Sequence, residues 1–127
     1  MNFKLLDFQI FGDERGSLIS LEGNKNIPFE IKRVYYIFDT KNDVARGKHA
    51  HKNLQQILIA VSGSCKVLVD SKKDKQIYEL NKPSKGLLIE NNVWREMFDF
   101  SSDCVLMVLA SDYYNKDDYI FEYENIL

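Results

Sequence analysis

IKRVYYIFD, residues 31 to 39, alternates strictly. As a strand it sends Ile31, Arg33, Tyr35 and Ile37 to one face and Lys32, Val34, Tyr36 and Phe38 to the other. The same short-strand grammar continues through QQILIAV, SCKVLVD, KQIYEL, GLLIE and CVLMVLA, which are separated by turn chemistry at Ser62-Gly63-Ser64, Asp70 to Asp74 and Asn91-Asn92. Many short strands joined by tight turns, with almost no helical period, predict an all-β sandwich or barrel. Only the acidic, aromatic tail from Asn115 to Leu127 has the composition for a short helix. A small β protein must protect its strand edges, so closure into a barrel or strand exchange with a second copy is expected. FKLLDFQIF, residues 3 to 11, is the run suited to such exchange, and a homodimer is the expected assembly.

The chain has 127 residues, enough for one ordinary core and too few for two. No repeat, low-complexity tract or Pro/Gly-rich linker divides it, so residues 1–127 are read as a single domain. Hydrophobic residues make up 45% and charged residues 28%, which is a globular mixture and excludes disorder. A formal net charge of -2 provides no global basic field, which argues against nucleic-acid binding and requires any anionic ligand to be met locally. No apolar run approaches a membrane span and the N-terminal residues do not form a leader pattern, so a cytoplasmic protein is expected. Cys65 and Cys104 lie in strand-like runs and are expected to be reduced and buried.

RGKHAHK, residues 46 to 52, holds both histidines. On a strand His49 and His51 share a face, a spacing that serves metal ligation or proton transfer. The pattern resembles the cupin barrels: Gly47, His49, His51 and Gly63, then Pro83-Ser84-Lys85-Gly86, then Trp94-Arg95-Glu96-Met97. In metal-binding cupins a Glu follows the His pair and a later strand adds a third His. Here Gln55 and Gln56 stand in place of the Glu, and Arg95 in place of the His. A neutral amide is a poor ligand for a divalent ion and a guanidinium repels one, so no metal is expected. A neutral imidazole near pH 7 can instead remove a proton next to a carbonyl. Arg15, Arg33, Arg46 and Lys48 supply cations for a diphosphate or an oxyanion, and Tyr35 a phenol for a sugar oxygen or a proton relay.

Nearly the whole chain resembles the dTDP-4-keto-6-deoxy-glucose 3,4-ketoisomerases, a metal-independent branch of the cupins. The segments carrying the resemblance are DERGSL (13 to 18), IPFEIKRVYYIFDT (27 to 40), RGKHAHK, VSGSCKVLVD (61 to 70), VWREMFDFSSDCVLMVLASDYY (93 to 114) and DYI (118 to 120). The resemblance implies a cupin jelly-roll barrel, usually dimeric, that moves a ketone from C4 to C3 of a dTDP-linked keto-6-deoxy sugar without a cofactor. The product would feed an aminotransferase in the synthesis of a 3-amino-3,6-dideoxy sugar for a surface glycan such as a lipopolysaccharide O-antigen. It further implies His49 as the base, His51 as its orienting or relaying partner, and Tyr35 beside the sugar. Arg15, Arg33, Arg46 and Lys48 are implied as diphosphate or oxyanion contacts, Arg95 as a group that fixes the sugar, and Tyr114 as a stacking surface. A salt bridge from Arg95 to Glu96 or Asp99 is the structural alternative for that residue, and core packing the alternative for Trp94 and Tyr113. The competing functions are a dTDP-sugar 3,5-epimerase and a sugar-nucleotide-binding cupin without activity.

Overall fold

The computed structural model describes residues 2–127 and contains, among them, strands and short turns of 3-10 helix but no α-helix. Twelve strands are formed: β1 (Phe3–Asp7), β2 (Phe11–Asp13), β3 (Gly16–Leu18), β4 (Arg33–Ile37), β5 (Arg46–His51), β6 (Gln56–Ser62), β7 (Cys65–Asp70), β8 (Lys75–Leu80), β9 (Lys85–Ile89), β10 (Trp94–Phe98), β11 (Val105–Ala110) and β12 (Tyr119–Ile120). They build two five-stranded antiparallel sheets, ordered β1-β9-β6-β11-β4 and β12-β5-β10-β7-β8, and a separate β2-β3 hairpin. This is the all-β two-sheet architecture expected from the alternating runs, and it agrees with the cupin jelly roll that the resemblance implies.

Burial explains which runs alternate and which do not. In β4 the residues Arg33, Tyr35 and Ile37 are half-buried while Val34 and Tyr36 are exposed, so one face meets the core and the other meets solvent. β6 is instead buried along QILIA because the first sheet is covered on both sides. Leu58 and Ala60 join the inter-sheet core with Val67, Val69, Leu87 and Val108, whereas Ile57 and Ile59 pack outward against Phe8, Ile27 and Phe29. Cys65 and Cys104 are free thiols in the inter-sheet core. Burial pushes the Cys65 thiol up to about 12, which keeps it protonated.

Two local expectations are corrected. FKLLDFQIF is not one strand: β1 ends at Asp7 and the chain re-enters as β2, whose only strand partner among the described residues is β3. The tail forms no α-helix. It makes two single 3-10 turns, Lys116–Asp118 and Tyr123–Asn125, on either side of β12. Tyr119 pairs with His51 and Ile120 with Ala50, so the tail closes the edge of β5. Backbone pairing here outweighs the weak helical propensity of so short a segment.

Candidate active site

β5 owes its shape to a bulge. Arg95 of β10 pairs with His49, but the next residue, Glu96, pairs with Gly47, leaving Lys48 as the extra residue on β5. Gly47 has φ 88° and Lys48 φ 58°, so two successive residues adopt the left-handed region. The bulge is tight: a Cβ on Gly47 would lie 3.0 Å from Met97 Sδ and 3.1 Å from the Arg95 carbonyl oxygen. Past it, His49 and His51 share a face as expected. Their rings stand at 90° with centroids 4.9 Å apart.

His51 is 1% exposed. Its Nδ1 lies 3.0 Å from Asp118 Oδ2, and Asp118 Oδ1 accepts from the Asn53 backbone N–H at 2.8 Å. A carboxylate is an acceptor, so the proton sits on Nδ1 and leaves Nε2 with a lone pair. That Nε2 is buried without a protein partner. Tyr119, opposite His51 in register, lies 4.4 Å from the His51 ring and 4.9 Å from the His49 ring. His49 is half-buried. Burial, then the nearby Arg95 charge, pulls its pKa down to about 4, opposed by a hydrogen bond to the Gly47 backbone. Burial first, then Arg95, the adjoining His49 ring and Arg33, lower His51. Both imidazoles are therefore neutral at pH 7.

Arg95, also 1% exposed, lies between the sheets. Its Nη1 donates to Gln56 Oε1 at 2.5 Å and its Nη2 to the Val93 carbonyl at 3.2 Å. Its Nε has no partner among the described residues. The alternative of a salt bridge to Glu96 or Asp99 is not what the structure contains: Glu96 accepts from the Trp94 indole at 3.0 Å and Asp99 pairs with Lys66 at 3.3 Å. Burial lowers the Arg95 pKa to about 10, which still leaves it a cation at pH 7. Gln56 completes the crossing by donating from Nε2 to the Tyr35 hydroxyl at 3.1 Å. Arg33 places its guanidinium carbon 5.2 Å from the Tyr35 ring and 5.8 Å from that of Tyr114. The exposed rings of Tyr114 and Phe121, with Tyr119 between them, mark the solvent side of the cluster.

The structure thus brings together six of the expected site residues, Arg33, Tyr35, His49, His51, Arg95 and Tyr114. It does not bring in the other three. Arg46 and Lys48 are exposed on the bulged end of β5. Arg15 stands on the β2-β3 turn, its side chain 86% exposed and paired with Asp13 at 2.6 Å. Trp94 is half-buried against Ala50, Ile120 and Ile126, on the side facing away from Arg95. Sequence reasoning missed Gln56, Asp118 and Tyr119. Gln56 was visible only as an absent metal ligand, and Asp118 and Tyr119 only as part of DYI. Among the described residues no three His, Cys, Asp or Glu side chains converge as a metal-ligand set.

A barrel that holds two imidazoles neutral beside a fixed cation is equipped for acid-base chemistry at carbon, and it places the chain among the cupin-type isomerases. Comparison with known proteins narrows this: the family model FdtA, described as WxcM-like, C-terminal, matches residues 1–127, and the chain belongs to that family. It is 55% identical over 125 residues to TDP-4-oxo-6-deoxy-alpha-D-glucose-3,4-oxoisomerase of Aneurinibacillus thermoaerophilus, covering 98% of this chain and 90% of the relative. Among solved structures it is similar to the WlaRB TDP-quinovose 3,4-ketoisomerase of Campylobacter jejuni, with a TM-score of 0.95 at 52% identity over 98% of this chain and 96% of that one. It is also similar to a mutant of the 3,4-ketoisomerase QdtA from Thermoanaerobacterium thermosaccharolyticum in complex with TDP-4-keto-6-deoxyglucose. That match has a TM-score of 0.94 at 49% identity, over 97% of this chain and 89% of the other.

Proposed function

We propose that this chain is a sugar-nucleotide 3,4-ketoisomerase that converts dTDP-4-keto-6-deoxy-glucose to a dTDP-3-keto-6-deoxy-hexose. The observation that carries the mechanism is the neutral His49 beside the Arg95 cation, which has no carboxylate bonded to it among the described residues. His49 removes the C3 proton, made acidic by the C4 ketone. The C–H electrons form the C3=C4 double bond and the carbonyl electrons move to O4, where Arg95 stabilises the charge. Tyr35 gives its hydroxyl proton to O4 and takes the O3 proton in return. The imidazolium of His49 then returns its proton to C4 as the C3 ketone forms. The sugar keeps every atom and electron, and both side chains end as they began. His51, held by Asp118, orients His49 and accepts a bond at Nε2. Arg33 and Tyr114 bind the substrate on the solvent side.

The mechanism takes residues 1–127 as one isomerase domain of a cytoplasmic enzyme without cofactor, serving 3-amino-3,6-dideoxy sugar synthesis for a surface glycan such as an O-antigen. Its ligand is a dTDP-keto sugar, with no nucleic acid or membrane as partner. It also takes the protein as a homodimer. β4 is an open edge of the first sheet with Val34, Tyr36 and Phe38 exposed beside it, and the β2-β3 arm exposes Phe11 and Leu18. Such an arm pairs naturally with a second copy. There Arg15, remote from the histidines of its own chain, serves the neighbouring site, while Arg46 and Lys48 form the cationic approach for the diphosphate.

The test is an NMR time course of chelator-treated protein with dTDP-4-keto-6-deoxy-glucose in deuterated buffer. A 3-keto sugar should appear, with the coupling of any proton retained at C4 reporting gluco or galacto configuration. Epimerisation at C5 or an unchanged spectrum would reject the assignment. His49→Asn should lower turnover by at least about 100-fold while nucleotide affinity, measured by calorimetry, stays within a few fold.

A further inference from the structure

We propose that Gln56 is a positioning residue for this reaction: its amide fixes Tyr35 as a hydrogen-bond donor to the sugar oxygens and keeps Arg95 an unneutralised cation in the site. The inference rests on the ketoisomerase reading and concerns a residue that reaches the sugar only through its neighbours.

The orientation of this amide is determined by chemistry. Gln56 is buried at the start of β6 and touches two partners, Arg95 Nη1 at 2.5 Å and the Tyr35 hydroxyl at 3.1 Å. A guanidinium only donates, so the amide oxygen must face Arg95. The amide nitrogen therefore faces Tyr35, and the phenol oxygen accepts from it. With that lone pair engaged, the hydroxyl hydrogen has to point elsewhere, and no described residue accepts it. That hydrogen is therefore free to meet a sugar oxygen of the bound substrate. The amide N–H also stays bonded to the phenol oxygen after its proton has gone to O4, supporting the transient phenolate.

A carboxylate at the same position would undo both effects. It would form a buried ion pair with Arg95, withdrawing the charge that stabilises the O4 oxyanion. It would also accept the Tyr35 hydroxyl hydrogen instead of donating to that oxygen, turning the relay away from the sugar. The amide and the acid have nearly the same volume, so the consequence is one of polarity and not of packing.

The experiment compares wild type, Gln56→Glu, Tyr35→Phe and the double variant on dTDP-4-keto-6-deoxy-glucose, following C3–H exchange and 3-keto product by NMR in deuterated buffer. Gln56→Glu should lower kcat by about 30-fold, the scale of one charge-assisted hydrogen bond, with KM within about 3-fold. Its melting temperature should not fall, because Glu gains a partner in Arg95. The acid limb of its rate profile should move to higher pH, since the Arg95 charge that disfavours imidazolium is compensated. In the Tyr35→Phe background the substitution should cost clearly less than in wild type, because the relay is already gone and only the withdrawal of the Arg95 charge remains. If Gln56→Glu does not fold, Gln56→Met carries the same comparison, removing the amide donor at similar volume. A Gln56→Glu enzyme with wild-type kcat and pH profile, or losses that multiply in the double variant, would overturn the role while leaving the ketoisomerase reading intact. A wild-type protein that neither exchanges C3–H nor forms product would end that reading and the inference with it.

Discussion

His49 and His51 differ in surroundings more than in chemistry. His51 is locked by Asp118 with its proton on Nδ1, whereas His49 is half-buried beside the Arg95 charge. Both have pKa values below that of an exposed imidazole, which gives a signed prediction. Above about pH 6.5 folded and unfolded chains both hold these rings neutral, so their contribution to stability is full and constant. As pH falls from there toward 4, the unfolded chain takes up protons that the folded chain refuses, and stability drops by about 1.4 kcal/mol per pH unit for each ring. Urea midpoints measured at pH 7.5, 6 and 5 should decline, and His49→Asn should decline less steeply. Equal slopes for the two proteins would mean that His49 is not held neutral by the fold. The same depression should keep kcat/KM flat down to about pH 4.5, because the base stays unprotonated.

At the scale of the element, the bulge in β5 sets the geometry of the site. Gly47 occupies φ 88° where an added Cβ meets Met97 and the Arg95 backbone. Gly47→Ala should destabilise by about 1–3 kcal/mol and, by shifting the Arg95 and His49 pairing, reduce kcat/KM more than the loss of stability explains. Thermal melts and kinetics on the same sample would separate the two effects; an unchanged kcat/KM would show that the bulge does not hold the histidine. This element also marks where the sequence stopped being legible. The shared face of His49 and His51 was readable from spacing alone, and so was the inward side of β4, because one buried face leaves a period of two. The bulge was not, since strand pattern does not encode which residue is skipped in pairing. Gln56 was hidden because an amide at the head of an apolar run has no signature until its two partners arrive from β10 and β4. Asp118 was hidden in an acidic tail whose neighbours look equally solvated. Tyr119 became part of the site only when the tail paired with β5.

For the whole molecule, the expectation of two-sheet closure was the readily legible part, because every turn-separated run carried its own pattern. The position of the β2-β3 arm was not, since within one chain it pairs with no other strand. Light scattering should give twice the chain mass, and a composite site makes a sharper demand. Arg15→Ala and His49→Asn, each inactive or nearly so, should restore about a quarter of wild-type activity when co-expressed, because half the dimers then contain one intact site. Absence of restored activity in isolated mixed dimers would place Arg15 outside the neighbouring site.

The buried Arg95 has a thermal consequence. A guanidinium held away from water with only an amide and a carbonyl as bonded partners is a burden on the folded state. Arg95→Met, of similar length and without charge, should melt several degrees higher than wild type while losing turnover, and wild type should gain on binding dTDP-sugar much of what the variant has without it. The empty enzyme is thereby kept less heat-resistant than its fold allows, and its substrate acts as its thermal protectant.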